Sequence, residues 1–362
     1  MARKKVGKIT KVLNGIESYS YLMNGIAGIG KTTTVCEIGQ KKFGIDGFLL
    51  MTIGSEPEPS HIGNLWNVVI NDWEELESTI DELIEYKDTD YKDLKMIGFD
   101  SIGEIFRLAE EEVIREYNKT QDSGNKVKTI NGAYGGFYRG NLRVIEIVIQ
   151  LINKVEKAGY SRFFIGHTKQ KNNVDALTGI EYQQITSDVE SRYFNVIKDR
   201  VNIVMCAYMD REIVDISEVT KKFKNQEKKI KVGDIASEKR VVSFRDESYS
   251  IDLKCHLKHM VDKCDLDSDV IIIELEEAIQ KQIDDFGGKS ETKEEVLKER
   301  TQIKNKELSI ETKTEIIDKV KANLSKIEIA DLKAIMTKYD FTDFNDVEAI
   351  PAAAFKEIEK LI

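Results

Sequence analysis

The chain has 362 residues, 41% hydrophobic and 33% charged, with a formal net charge of −10. The length suits one large domain plus an appendage, or two domains, and the balance is that of a soluble globular chain able to bury a sizeable core. No apolar run approaches the ~18 residues of a membrane helix. Met1 to Lys5 lacks the following apolar stretch of a signal peptide. Four scattered cysteines make no disulfide framework. The expectation is a cytoplasmic protein with no membrane contact, whose binding of nucleic acid would be confined to a local patch on an acidic body.

Tyr19 to Asn24 reads as a short strand running into a glycine loop, and Lys31 to Lys42 as the helix that follows. Phe48 to Ile53 is a nearly continuous apolar run, as in a strand buried on both faces of a parallel sheet. A turn at 54–59 holds two of the three prolines. Val68 to Ile70 reads as a short strand, and Trp73 to Tyr86 as an amphipathic helix. Leu94 to Asp100 is a strand ending in an acid, and Ile102 to Tyr117 a helix. Residues 118–140 are polar and glycine-rich, a long loop of the kind that is usually functional or disordered.

Leu142 to Lys157 is strongly amphipathic, and Arg162 to His167 is the next strand. Residues 168–181 read as a second polar loop. Later strands are expected at Tyr182–Ile185, Val201–Tyr208 and Arg240–Phe244, with a lysine-rich stretch, Lys221 to Lys231, between the last two. Asp267 to Phe286 is helical, and Gly287 to Ser290 reads as linker. Strands alternating with helices predict an α/β fold with a mainly parallel sheet flanked by helices. The domain reading is one α/β domain over 1–285, a charged helical linker over 286–310 and a small helical module over 311–362. The module's apolar positions include Ile316, Val320, Leu324, Leu332, Ile335, Phe355 and Ile358.

The sharpest signal is G-x-x-x-x-G-K-[ST], met by Gly25, Gly30, Lys31 and Thr32 within Gly25-Ile26-Ala27-Gly28-Ile29-Gly30-Lys31-Thr32-Thr33. Glycines let the backbone curl so that its N–H groups face phosphates, and the helix start adds positive potential. Lys31 is placed to reach the β- and γ-phosphates of ATP, and the Thr32 hydroxyl to ligate Mg²⁺. Such a site also needs a carboxylate at a neighbouring strand end for the magnesium shell, which Asp100 supplies. A group that orients or activates water is needed as well. Glu56 is favoured over Glu104, whose place in a first helical turn the dipole explains, and Glu58 is a further neighbour.

The order of these parts resembles the RecA-like ATPases, and most closely the ATP-binding single-strand annealing proteins of phage recombination, the Sak-four type. The resemblance spans about residues 16–285. It rests on the phosphate loop, Ile53-Gly54-Ser55-Glu56, Gly98-Phe99-Asp100-Ser101, Gly132-Ala133-Tyr134-Gly135-Gly136-Phe137-Tyr138 and Phe164-Ile165-Gly166-His167-Thr168-Lys169. It implies that Glu56 is the catalytic glutamate and that His167 senses the γ-phosphate. It implies DNA-contacting loops at 118–140 and 168–181 and a ring or filament of identical subunits. A neighbour's cation would then complete the ATP site, with Arg245 and Lys254 as suppliers, in the host cytoplasm. The acidic charge, the lysine-rich segment and the C-terminal unit depart from the family.

Tyr134, Phe137, Tyr138 and Arg139 interleave aromatics with a cation, a set that stacks the bases of single-stranded DNA or packs on the protein itself, and Lys169 and Lys171 could add backbone contacts. The cluster Cys255, His256, His259 and Cys264 has no standard zinc-finger spacing and reads as structural. The C-terminal module reads as a docking unit for a single-strand binding protein or a replication protein. The competing function is a nucleotide-dependent protein-binding switch or loader that does not touch DNA; a small-molecule kinase fits less well, because the long polar loops lack an arginine-rich lid.

Overall fold

In the computed structural model, residues 11–223, 226–246, 248, 250–299, 316–320 and 329–338 are described. The first compact unit is Met1–Lys293 and the second Glu294–Ile362. In chain order the first unit carries β1 (Val12–Leu13), β2 (Tyr21–Gly25), α1 (Lys31–Phe43), β3 (Phe48–Ile53), β4 (Asn67–Ile70), α2 (Trp73–Glu85), β5 (Met96–Asp100) and α3 (Ile102–Lys119). It continues with α4 (Arg139–Ala158), β6 (Ser161–Val174), β7 (Glu181–Ser187), α5 (Ser191–Arg200), β8 (Ile203–Phe223), β9 (Gln226–Ser243), β10 (Lys254–Cys255), β11 (Lys263–Asp265), α6 (Ser268–Asp285) and β12 (Ser290–Glu291).

The main sheet runs β11-β9-β8-β2-β6-β5-β3-β4. From β8 to β4 every pairing is parallel. Successive strand residues point to opposite faces, and both faces are covered. Leu22, Leu49, Met51, Ile97, Phe99 and Phe164 pack in the layer with α2, α3, α4 and α5. Tyr21, Met23, Phe48, Leu50, Phe163 and Ile165 pack in the layer with α1 and α6. That two-sided burial is why the strands read as continuous apolar runs.

The phosphate-loop strand β2 lies between β6 and β8, with Gly25 in register with His167 on one side and Ala207 on the other. Both neighbours run on beyond that register as antiparallel hairpins. The expected polar loop at 168–181 is instead mostly strand: Thr168 to Val174 pairs with Glu181 to Ser187. The lysine-rich stretch likewise lies in β8 and β9, which pair out to Phe223 and Gln226. The residues of β6 from Gln170 to Asn172 are exposed. A ladder exposed on both faces has no apolar alternation to read, so backbone pairing alone carries it.

Residues 286–293, expected in the linker, belong to the first unit. Gly287 and Gly288 take positive φ, and Ser290–Glu291 pairs in parallel with Val12–Leu13. Lys293 donates to the Tyr160 carbonyl at 2.8 Å, and burial lowers its pKa to about 8. A two-residue strand is too short to leave a pattern. In the second unit, Ile316, Ile317 and Val320 are buried, as are Leu332 and Ile335 of the helix Ile329–Lys338. Leu324, Phe355 and Ile358 lie outside the described residues. Among the described residues no helix is long and apolar enough to cross a membrane.

Candidate active site

The phosphate loop joins β2 to α1 at the carboxyl edge of the sheet, where ligands of open α/β folds bind. Gly28 and Gly30 have φ of 76° and 111°, conformations that favour glycine. A Cβ added at Gly28 would meet nothing within 4 Å, so the loop's outer face is open. Gly30 caps α1 without a side-chain hydrogen bond, which leaves the helix's first N–H groups and its positive end facing the loop. Lys31 is buried and its Nζ donates to the carbonyls of Gly25 and Ile26 at 2.9 and 3.0 Å. Burial lowers its pKa, opposed by Asp100 and Glu56.

Side chains from α1, β5, β6 and the segment after β3 meet at one place. The Thr32 hydroxyl donates to Asp100 Oδ2 at 2.6 Å. Asp100, at the end of β5, is 7% exposed, and burial raises its pKa while the Thr32 bond lowers it. His167, on β6, sits with Nδ1 3.4 Å from Lys31 Nζ and Nε2 3.3 Å from Glu56 Oε1. In the neutral ring, Nδ1 accepts from the ammonium and Nε2–H donates to the carboxylate. The His167 hydrogen bond holds Glu56 below the usual carboxylate range, and Glu56 in turn raises His167. Glu56 is thus a carboxylate at neutral pH, next to the lysine that the motif assigns to phosphate.

Glu104 is engaged elsewhere. Its Oε2 accepts from the Ser55 N–H at 2.9 Å and from Arg107 Nε at 2.7 Å. Glu58 is exposed. Of the three acids weighed from sequence, Glu56 is the one bonded to His167.

The donor set fits a nucleotide with a magnesium ion. Thr32 and Asp100 offer a hydroxyl and a carboxylate, hard oxygen donors side by side. No cluster of three or more His, Cys, Asp or Glu able to hold a metal occurs among the described residues, and magnesium in such sites is carried mostly by water and phosphate.

The expected DNA residues are placed as follows. Tyr134 packs on Tyr117 with ring centroids 5.1 Å apart. Phe137 is 95% exposed. The Tyr138 hydroxyl donates to Glu190 at 2.9 Å, and the Arg192 guanidinium lies 4.1 Å from its ring centroid. Arg139 is exposed at the start of α4. Segment 118–140 is anchored: Asn118 bonds both backbone groups of Val127 at 2.8 Å, and Ile130 and Ala133 are buried. Lys169 donates to the Asp188 carbonyl at 2.8 Å, and Lys171 is exposed on the β6–β7 hairpin.

Arg245 and Lys254, expected as cations that act in a neighbour's site, lie toward the amino edge of the sheet, away from their own chain's phosphate loop. Arg245 donates to the Leu257 carbonyl, and Lys254 to those of Lys198 and Asp199 at 2.8 and 3.2 Å. β9 runs antiparallel to β8, so residues after Ser243 lead away from the site. Arg240 of β9 reaches its own chain's loop, with Nη1 4.0 Å from where a Cβ on Gly30 would stand. Sequence reading passed over it, because only the register of a hairpin distant in sequence brings it there. Cys255 Sγ donates to Leu257 O, and His259 Nε2 pairs with Asp285 at 2.7 Å.

Residues 17–248 match the AAA domain family AAA_24. Among solved structures, one similar chain is a KaiC-like protein from the hyperthermophilic archaeon Pyrococcus horikoshii. It is 11% identical, with 66% of this chain and 94% of that chain covered and a TM-score of 0.30. No curated protein matches the chain. The family match takes in the phosphate loop, Glu56, Asp100 and His167, and the chain belongs to this AAA domain family.

Proposed function

We propose that this protein is a magnesium-dependent ATPase that acts on single-stranded DNA, in the manner of a recombination or annealing factor of the phage type. Lys31 and the loop N–H groups bind the β- and γ-phosphates. Glu56 orients a water for in-line attack and accepts its proton, and His167 reports the state of the γ-phosphate to the hairpin it begins. Magnesium, held through Thr32 and Asp100, would supply charge neutralisation at the phosphates. Identical subunits in a ring or filament would let a neighbour's cation complete the site. The C-terminal module would dock a single-strand binding or replication protein.

The observation that carries the DNA reading is the segment Tyr134 to Tyr138. All five residues have positive φ, and three of them are not glycine: Tyr134 at 55°, Phe137 at 50° and Tyr138 at 67°. Each such residue costs roughly 1 kcal/mol or more, and strain of this kind clusters at ligand clamps and switches. Here it presents Phe137 almost wholly to solvent, as base stacking requires. The same segment is linked to the nucleotide site, since Tyr138 bonds Glu190 and, two residues earlier, the Asp188 N–H donates to the His167 carbonyl at 3.1 Å. The test is ATP hydrolysis with and without single-stranded DNA at two salt concentrations. Stimulation that fades with salt is expected. Hydrolysis indifferent to DNA would instead favour the second reading, a nucleotide-dependent protein-binding switch, to which the net charge of −10 is better suited.

A further inference from the structure

We propose that Arg240 is a nucleotide-binding residue of its own chain, pairing with the phosphates that ADP and ATP share. The inference rests on the ATP-site reading above and adds a residue and a role to it.

Arg240 is fixed by its strand. It pairs with Met209 of β8, two residues past Ala207, which is in register with Gly25 of the phosphate loop. On its other side the Arg240 carbonyl accepts from the Leu266 N–H at 3.0 Å. The backbone is therefore held from both sides, as a preorganised ligand-binding group requires. The side chain is exposed and makes no ion pair or side-chain hydrogen bond among the described residues. Acids are near at hand, but Arg211 pairs with Glu238 at 2.7 Å and Lys263 with Asp210 at 2.7 Å.

The guanidinium instead lies by Gly30, at the uncapped start of α1 and next to Lys31. Three positive features thus converge: a helix N-terminus, an ammonium and a guanidinium. Without an anion they repel. A phosphate among them turns each repulsion into an attraction, and guanidinium suits paired phosphate oxygens.

The side of the sheet decides which phosphates. Glu56 follows β3, Asp100 ends β5 and His167 lies within β6, all on one side of β2; Arg240 is on β9, on the other side, in the order β9-β8-β2-β6-β5-β3. The residues that handle the γ-phosphate are gathered on the far side, so Arg240 meets the part of the nucleotide that does not react. Its contact is equal in the ground and transition states, which makes it a contributor to binding and not to the chemical step.

The experiment uses the full chain. Binding of a fluorescent ADP and steady-state ATP turnover are measured for the wild type, Arg240→Ala, Arg240→Lys and Lys31→Ala. The expected result for Arg240→Ala is a loss of ADP affinity and a rise in the KM for ATP of about tenfold, with kcat little changed. Arg240→Lys should recover part of the loss. ADP affinity equal to wild type in Arg240→Ala would overturn the proposal, and so would a fall in kcat at unchanged affinity. Recovery of affinity on mixing Arg240→Ala with Lys31→Ala would place the arginine in a neighbour's site and overturn the same-chain assignment. A wild type that binds no ADP would defeat the ATP-site reading itself.

Discussion

Replacing Glu56 with Gln keeps the shape of the side chain and its ability to meet His167, and removes the negative charge. Glu56 Oε1 is 3.3 Å from His167 Nε2, and His167 Nδ1 is 3.4 Å from Lys31 Nζ, so the carboxylate is two contacts from the phosphate-binding amine. A positioned general base contributes roughly 10²- to 10⁴-fold, equivalent to about 3–5 kcal/mol in the barrier. Glu56→Gln should therefore lower kcat by about that factor. Nucleotide affinity should hold or rise, because a carboxylate that attracts Lys31 has been removed. The assay is steady-state phosphate release, paired with fluorescent-nucleotide binding to show that the site is intact. Glu104→Gln is the control. It weakens the hold on Ser55 and Arg107, worth about 1 kcal/mol in local stability, and should leave turnover within a few-fold. Full turnover in Glu56→Gln, or loss of turnover in Glu104→Gln instead, would refute the assignment.

The Glu56 bond raises His167 above its ordinary 6.5, so the ring gains its proton while the pH is still above that value. Protonation strengthens its grip on Glu56 and sets a like charge beside Lys31; kcat/KM should fall as pH drops through the raised His167 value, and in His167→Asn that acid limb should move to lower pH. An unmoved limb would exclude His167 as its source. Phe137→Ala should weaken single-stranded DNA binding by about 1–3 kcal/mol, read by fluorescence anisotropy; unchanged affinity would remove the stacking role. Gly39→Ala tests the packing under the site. A Cβ there would stand 2.2 Å from the buried Phe48 ring, and that ring is also close to Gly98, so it has little room to move. Overpacking at about 1–3 kcal/mol exceeds the helix-propensity gain of roughly 1 kcal/mol, so the denaturation midpoint should fall; a rise would show that the ring relocates freely.

Much of this site is legible in the sequence, for local reasons. The loop spacing follows from what phosphate asks of a backbone, and Asp100 follows from an apolar strand that ends in an acid. Glu56 is favoured over Glu104 from sequence alone, and the coordinates add that Glu104 is bonded to Ser55 and Arg107 while Glu56 meets His167. The β6–β7 hairpin was hidden because Lys169 to Asn172 are exposed and carry no apolar alternation. The direction of β9 was hidden too. Arg245 and Lys254 follow it in sequence and lead away from their own chain's loop, which leaves their expected role in a neighbour's site untouched, while Arg240, the start of the strand expected at 240–244, lies at its own chain's loop. The pairing of β12 with β1 joins residues more than two hundred positions apart, which no local pattern reports.

The central claim is that the phosphate loop hydrolyses ATP. It is tested most directly by phosphate release from ATP and magnesium in the wild type and in Lys31→Ala at matched concentrations. The account predicts turnover in the wild type that Lys31→Ala abolishes while its thermal melt stays cooperative. Turnover unchanged by Lys31→Ala, in a protein that remains folded, would contradict it.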